Sequence, residues 1–474
     1  MNVIAALVGP VLVALTAAVA PVAQEQPRLV VHEWGTFTCL LDDDGTPIGG
    51  VNTEDEPLPD FVHRPLRDRR LNGGLLALHD LAPCFFQGAP SCHPDVTMRL
   101  ETPVLYFHLP AGAEPRTLDV EVAWRGGWLS EFFPRGDATL PGMDVDPIGS
   151  IDPDLDGTLA WRNVRIGGER SAEPPATDAP VWLAPRNVAA SDVQVGDEAE
   201  RFLFYRGVGN VEPPLSVVRS ADRTELLVRE RRSPRAKPLR CSTGPGFLVH
   251  VDPTRGCAFR ELPPLPLGRD DADDDAVLVR TRATFAPADF DAANASRLRQ
   301  AMHAALVADG LFADEATALL DTWRVSYFRS PGLRVFWLLP QEWTDAVMPL
   351  RLSSDASIDR VMVARIELID DPKRAQLARL RAGPSSTNAW FNDVTMKLAR
   401  DEPQRFQEFW RELSGRPGAL LELESKPEFG LRIPDDYRAW LALGRFRHAL
   451  VLEELRARPS DALRSFVAAY GLGR

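Results

Sequence analysis

The sequence predicts an α+β protein: an N-terminal β-sandwich-like region of one or two β-domains, followed by a mixed, mainly helical C-terminal region. Three observations point there. From about Gln26 to Phe285, short runs with apolar residues at alternate positions recur between Pro, Gly and Asp, the period of half-buried strands. After Pro287 the apolar spacing lengthens to three and four residues, the period of a helix with one buried face. The 474 residues include 41 prolines, against about two dozen at average usage. That excess disfavours a long helical bundle and favours a loop-rich, strand-rich chain.

Residues 1–23 read as a secretory signal peptide. Val3 to Ala23 is nearly unbroken apolar sequence, and the small residues Ala18-Val19-Ala20-Pro21-Val22-Ala23 form a cleavage zone. The n-region lacks Lys and Arg, and a cut after Ala23 fits at least as well as one after Ala20. An uncleaved N-terminal anchor is the rival reading, because about 21 apolar residues just span a bilayer. The expected location is exported, periplasmic or extracellular, with no membrane span after signal removal.

Residues 24–285 form the β-rich part. Leu118-Asp119-Val120-Glu121-Val122-Ala123-Trp124 alternates most cleanly, with Leu118, Val120, Val122 and Trp124 on one face. Further strands are expected at 28–38, 104–108, 201–206, 225–229, 247–251 and 277–285. The acidic run from Asp270 to Asp275 is the best boundary-like loop, since packed like charges resist burial. Residues 286–372 follow as a helical hairpin plus returning strands. Leu298, Met302 and Leu306 make one apolar stripe, Ala316, Leu319, Leu320 and Trp323 the next, and Gly310 turns between them. Strands return at 333–339 and 360–369. Residues 373–474 are the helical C-terminal region, whose last helix starts at a Ser460 cap and ends at Gly471.

Five cysteines sit at positions 39, 84, 92, 241 and 257. In an oxidising compartment their clustering suggests the disulfides Cys84–Cys92 and Cys241–Cys257, leaving Cys39 single. Basic residues number 54 and acidic ones 67, a net charge of −13, which counts against nucleic acid as the partner. The ligand classes left open are small molecule, glycan and protein.

The densest polar segment is Val31-His32-Glu33-Trp34-Gly35-Thr36-Phe37-Thr38. On a regular strand His32, Trp34 and Thr36 face one side and Glu33, Gly35 and Phe37 the other, so His32 and Glu33 share no site unless a bulge intervenes. In the Arg99 to His108 segment, Arg99 and Glu101 share a face and can pair, while Thr102-Pro103 marks an edge strand or bulge. Tyr205 and Arg206 end another strand beside Gly207. The catalytic candidates are therefore His32, Glu33, Glu101, Tyr205 and Arg206. Asp152, Asp154 and Asp156, then Gly157, Thr158 and Asn163, match the first half of a calcium loop, with Asn163 where a bidentate Glu is expected. A plain Asp/Gly turn is the competing reading. Calcium is thus the one cofactor the sequence suggests. Serine-hydrolase elbow, P-loop and dinucleotide fingerprints are absent from the sequence.

The strings His-Glu-Trp-Gly-Thr-Phe-Thr (32–38), Glu-Thr-Pro-Val-Leu-Tyr-Phe (101–107), Phe-Leu-Phe-Tyr-Arg-Gly-Val-Gly (202–209) and Asp-Thr-Trp (321–323) resemble a family of large exported bacterial proteins without an assigned activity. The resemblance spans Val31 to about Pro340 and implies export and a common fold, with no catalytic residue to transfer. The leading functional expectation is a non-catalytic β-rich binding or envelope-associated protein. A secreted hydrolase of glycan or other polymer, using Glu33 and Glu101 as paired carboxylates, is the second. Partner docking through the C-terminal helices is the third.

Overall fold

The computed structural model describes residues 28–51, 58–64, 85–86, 89–90, 93–142, 150–231, 240–268, 276–383, 396–405, 424–427, 432–469 and 472. Cys84, Cys92 and the acidic run at 270–275 lie outside them, as does the leader. The principal elements begin with β1 (Leu29–Leu41), β2 (Met98–His108), β3 (Arg116–Arg125) and β4 (Gly127–Phe133). Next come β5 (Asp156–Ile166), β6 (Leu203–Gly209), β7 (Gly246–Asp252) and β8 (Gly256–Leu262). Helices α1 (Asn294–Ala308), α2 (Ala313–Thr322) and α3 (Arg324–Phe328) precede β9 (Gly332–Leu339) and β10 (Ala356–Leu368). The chain then turns helical in α4 (Asp371–Ala382), α5 (Asp435–Ala442), α6 (Arg447–Ala457) and α7 (Asp461–Ala469). The protein is mixed α/β, with sheets toward the N-terminus and helices toward the C-terminus. No helix among the described residues is long and apolar enough to cross a membrane.

An eight-stranded sheet in the order β8-β7-β9-β10-β1-β2-β6-β4 organises the molecule. β1 runs parallel to β10 on one side and antiparallel to β2 on the other. Alternation along β1 divides two cores. Leu29, Val31, Phe37, Cys39 and Leu41 share one with Val120, Val122 and Trp124 of β3 and Leu159 and Trp161 of β5, strands of a second, six-stranded sheet. On the opposite face Trp34 packs with Leu298, Met302 and Leu306 of α1 and Leu319 and Leu320 of α2. Leu40 and Trp128 meet Tyr437, Trp440, Leu450 and Phe466 of the C-terminal helices. Non-polar residues at both parities of β1 follow from burial on both faces.

The helical hairpin forms as its stripes predict, and Gly310 between α1 and α2 has φ +125°, a conformation L side chains rarely adopt. Three expectations are corrected, and one that left two alternatives open, the second below, is decided. First, β9 and β10 return into the sheet that holds β1, so residue 285 does not bound the fold: a central strand needs partners on both edges. Second, Thr102-Pro103 lies in a central strand; the register with β1 shifts between Trp34 and Thr36, and Thr102 has φ 47°. It is a bulge, the alternative to an edge strand, since the proline has no N–H to donate to the ladder. Third, no disulfide joins Cys241 to Cys257. Cys241 lies on a two-residue strand paired with Pro266–Leu267, and Cys257 on β8 of the large sheet, so spacing in sequence did not become proximity. Burial pushes both thiols up to about 11 and that of Cys39 to about 12, leaving them unreactive.

Fourth, the calcium-loop residues do not surround a point. Asp152 accepts the Asp154 amide at 2.8 Å in an Asp-initiated turn. Asp156, Thr158 and Asn163 belong to the extended strand β5, where eight residues span roughly 20 Å. Two of the alternate carboxylates, Asp152 and Asp154, belong to that turn, and the third, Asp156, opens the strand.

Close strand packing sets one test. A Cβ on Gly207 of β6 would meet the Trp128 carbonyl oxygen of β4 at 1.8 Å. Gly207→Ala is expected to lower unfolding stability by about 3 kcal/mol, read as a lower denaturant midpoint at unchanged slope.

Candidate metal centre

The β2 bulge decides what His108 faces. Before it, Met98 and Leu100 point into the inter-sheet core; after it, Leu105 and Phe107 do. One extra residue has inverted the parity, so that Val104, Tyr106 and His108 face the helices alongside His32 and Trp34 of β1. His32 stands opposite Tyr106 and Val30 opposite His108, which makes the two histidines diagonal neighbours. Their ring centroids are 5.2 Å apart.

Glu315 enters from the first turn of α2. Its carboxylate reaches back to the Phe312 amide at 2.7 Å, as an acidic side chain at the third helical position does. One carboxylate oxygen lies 2.7 Å from His32 Nδ1 and the other 2.9 Å from His108 Nε2. Glu315 and His32 are buried, while His108 is partly exposed. Burial alone would raise the Glu315 pKa, but the bonds from His108, His32 and the Phe312 amide outweigh it and hold the carboxyl below its ordinary range. The Phe312 ring covers both imidazoles, its centroid 4.5 Å from His32 and 4.8 Å from His108. Asp359, paired with His32 across β10 and β1, puts a carboxylate oxygen 3.6 Å from His32 Nε2.

His32, His108 and Glu315 each offer a ligand atom within 4.8 Å of the others, the only such group among the described residues. Two imidazoles and a carboxylate suit zinc, copper, nickel or iron; calcium prefers an all-oxygen shell. Asp359 beyond His32 gives the outer carboxylate that fixes tautomer and ring orientation in histidine metal sites.

The other sequence candidates separate from this point. Glu33 faces the inter-sheet core, where it accepts the Tyr205 hydroxyl and, at 2.5 Å, Arg360 Nε. Arg360 continues to Asp345 at 2.8 Å and to the Met348 carbonyl at 2.6 Å. Burial disfavours the Arg360 charge, but Glu33 outweighs it and raises the guanidinium pKa; burial followed by Glu33 raises that of Tyr205. Arg206 pairs with Glu131, which also takes Arg64 at 3.1 Å. Glu101 faces the helices, bound by Arg99 at 3.2 Å and by Arg445. Glu33 and Glu101 therefore lie on opposite sides of one sheet, which removes the paired-carboxylate hydrolase. Tyr205 and Arg206 do not meet His32. Sequence reasoning separated His32 from Glu33 correctly and missed His108 and Glu315. His108 was hidden by the bulge, and the signal for Glu315 was its place three residues after a helix start. Searched against protein-family models and curated protein sequences, the chain matches none.

Proposed function

We propose that the protein is an exported, β-rich binding protein whose ligand is a divalent transition-metal ion held by His32, His108 and Glu315. The observation that carries this is the convergence of two imidazole nitrogens on the two oxygens of one buried carboxylate, from three elements distant in sequence. Export rests on the apolar segment from Val3 to Ala23 and on the resemblance of the motif strings to large exported bacterial proteins. A sandwich-like arrangement of the two larger sheets is supported by their common core. Among the described residues, the exposed large apolar side chains (Leu183, Val307, Phe312, Val325 and Met396) lie outside Asp435–Ala469, and Met396 alone falls in the C-terminal region, so they give partner docking through α5 to α7 no apolar patch.

The test is calorimetric titration of zinc into chelator-treated protein, with thermal melting alongside. One equivalent is expected to bind and to raise the melting temperature. His108→Ala, at the partly exposed ligand, is expected to abolish stoichiometric binding while the chain still folds. Asp359→Asn is expected to weaken binding by about 10–100-fold through the orientation of His32. Equal zinc binding by the native and His108→Ala proteins would refute the assignment.

A further inference from the structure

A zinc-like ion takes four donors in a tetrahedron, and His32, His108 and Glu315 supply three. Glu315 contributes one oxygen, because the other is held by the Phe312 amide at 2.7 Å. Three further polar side chains stand nearby, and each is turned elsewhere. Asp359 approaches His32 at Nε2, 3.6 Å away, whereas Glu315 meets the same ring at Nδ1. The two nitrogens of an imidazole point apart, so Asp359 sits across the ring from the ion. Tyr106, opposite His32 on β2, gives its hydroxyl to the Pro185 carbonyl at 2.9 Å. Asp314 has one oxygen on the Glu315 amide at 3.0 Å and the other on the Ala189 amide at 2.8 Å. Among the described residues, no side chain is left to supply the fourth donor.

Access runs past Phe312. Its ring lies against both imidazoles and is itself 47% exposed. The backbone beneath that ring is fixed, since the amide donates to Glu315 and the carbonyl accepts the Ala316 amide at 2.9 Å. The ring has no such anchor on its solvent side, and exposed side chains change rotamer in picoseconds to nanoseconds. A turn about its first side-chain torsion bares the two imidazoles without any movement of β1, β2 or α2.

The surroundings also set the charge of what binds. Neither Asp314 nor Asp359 meets an arginine or lysine among the described residues. With Glu315 they place three carboxylates beside one divalent ion, so a further anion is repelled. A neutral donor meets no such repulsion, and an aromatic one gains from contact with the Phe312 ring. Resting on the metal reading above, we propose that the ion keeps its fourth position, under Phe312, for a small neutral nitrogen- or oxygen-donor ligand with an aromatic or apolar body. The centre is then a place where an ion takes up and releases a second molecule, and Phe312 is the residue that selects it.

The test uses the full protein loaded with one equivalent of cobalt(II), which occupies zinc-type sites and, unlike the filled-shell zinc ion, absorbs visible light according to its coordination. Imidazole and azide are titrated in separately, and desalted samples are assayed for retained cobalt. His108→Ala, without the centre, supplies the blank. Imidazole is expected to shift the bands to saturation while the cobalt stays bound, and azide to require at least about tenfold more. Phe312→Ala is expected to weaken imidazole by about two- to tenfold, the loss of one aromatic pair. Native protein without cobalt bands would refute the metal reading and this inference with it. Bands that imidazole leaves unmoved, cobalt stripped by imidazole, or bands that azide shifts at the lower concentration would overturn this inference and leave the metal reading standing. Equal imidazole binding by Phe312→Ala would overturn the part given to the ring.

Discussion

Glu33→Ala is expected to destabilise the protein by about 3–5 kcal/mol, the effect of leaving a buried charge without its partner. Arg360 and Glu33 are both fully buried, 2.5 Å apart, and Tyr205 donates to the same carboxylate. After the substitution Arg360 keeps Asp345, half exposed, and the buried Met348 carbonyl; the first is screened by solvent and the second carries no counter-charge. Arg360→Ala is expected to cost a similar amount, since it strands the carboxylate with one hydroxyl donor. The triple variant Glu33→Leu, Tyr205→Phe, Arg360→Met removes every polar member together and is expected to recover most of the loss. Guanidinium unfolding at constant slope measures all three. A single-variant loss under about 1 kcal/mol would mean that the pair behaves like a screened surface bridge.

Acid is expected to remove roughly 3 kcal/mol of stability through Glu367 alone. Burial raises its pKa, but Arg334, Arg365 and Lys373 outweigh it and bring the carboxyl from 4.5 to about 2. Because the folded value is the lower one, the contribution is fully present above the unfolded pKa near 4.5. It disappears as pH falls toward the folded value near 2. Melting temperatures taken across that window should drop more steeply for the native protein than for Glu367→Gln, the two curves converging at the acid end. Parallel curves would show that the carboxylate is not held in its charged form by those cations.

The strand pattern of β1, β3, β7 and β9 and the α1–α2 hairpin were legible because each depends on local periodicity and a turn residue. So were the opposite faces of His32 and Glu33 and the pairing of Arg99 with Glu101, which follow from alternation alone. What was not legible depends on registry between distant segments. His108 changes face through one inserted residue on its own strand, and Glu315 meets His32 across 283 residues. The Asp152–Asp156 alternation suits a calcium loop and a turn leading into a strand equally well, and only the pairing of β5 with β3 from Asp156 onward separates them. Cys241 and Cys257 lie close in sequence yet sit on strands of different sheets.

The strand nearest the start of the chain is clasped by one from near its end, with Glu33 and Arg360 separated by 327 residues. Closing so large a loop is entropically slow, so β1, although β2 follows it closely, lacks its second neighbour until most of the polypeptide has emerged. A chain threaded through a membrane pore from its leading end would therefore pair that strand on one edge early and close its other edge only near the end of passage.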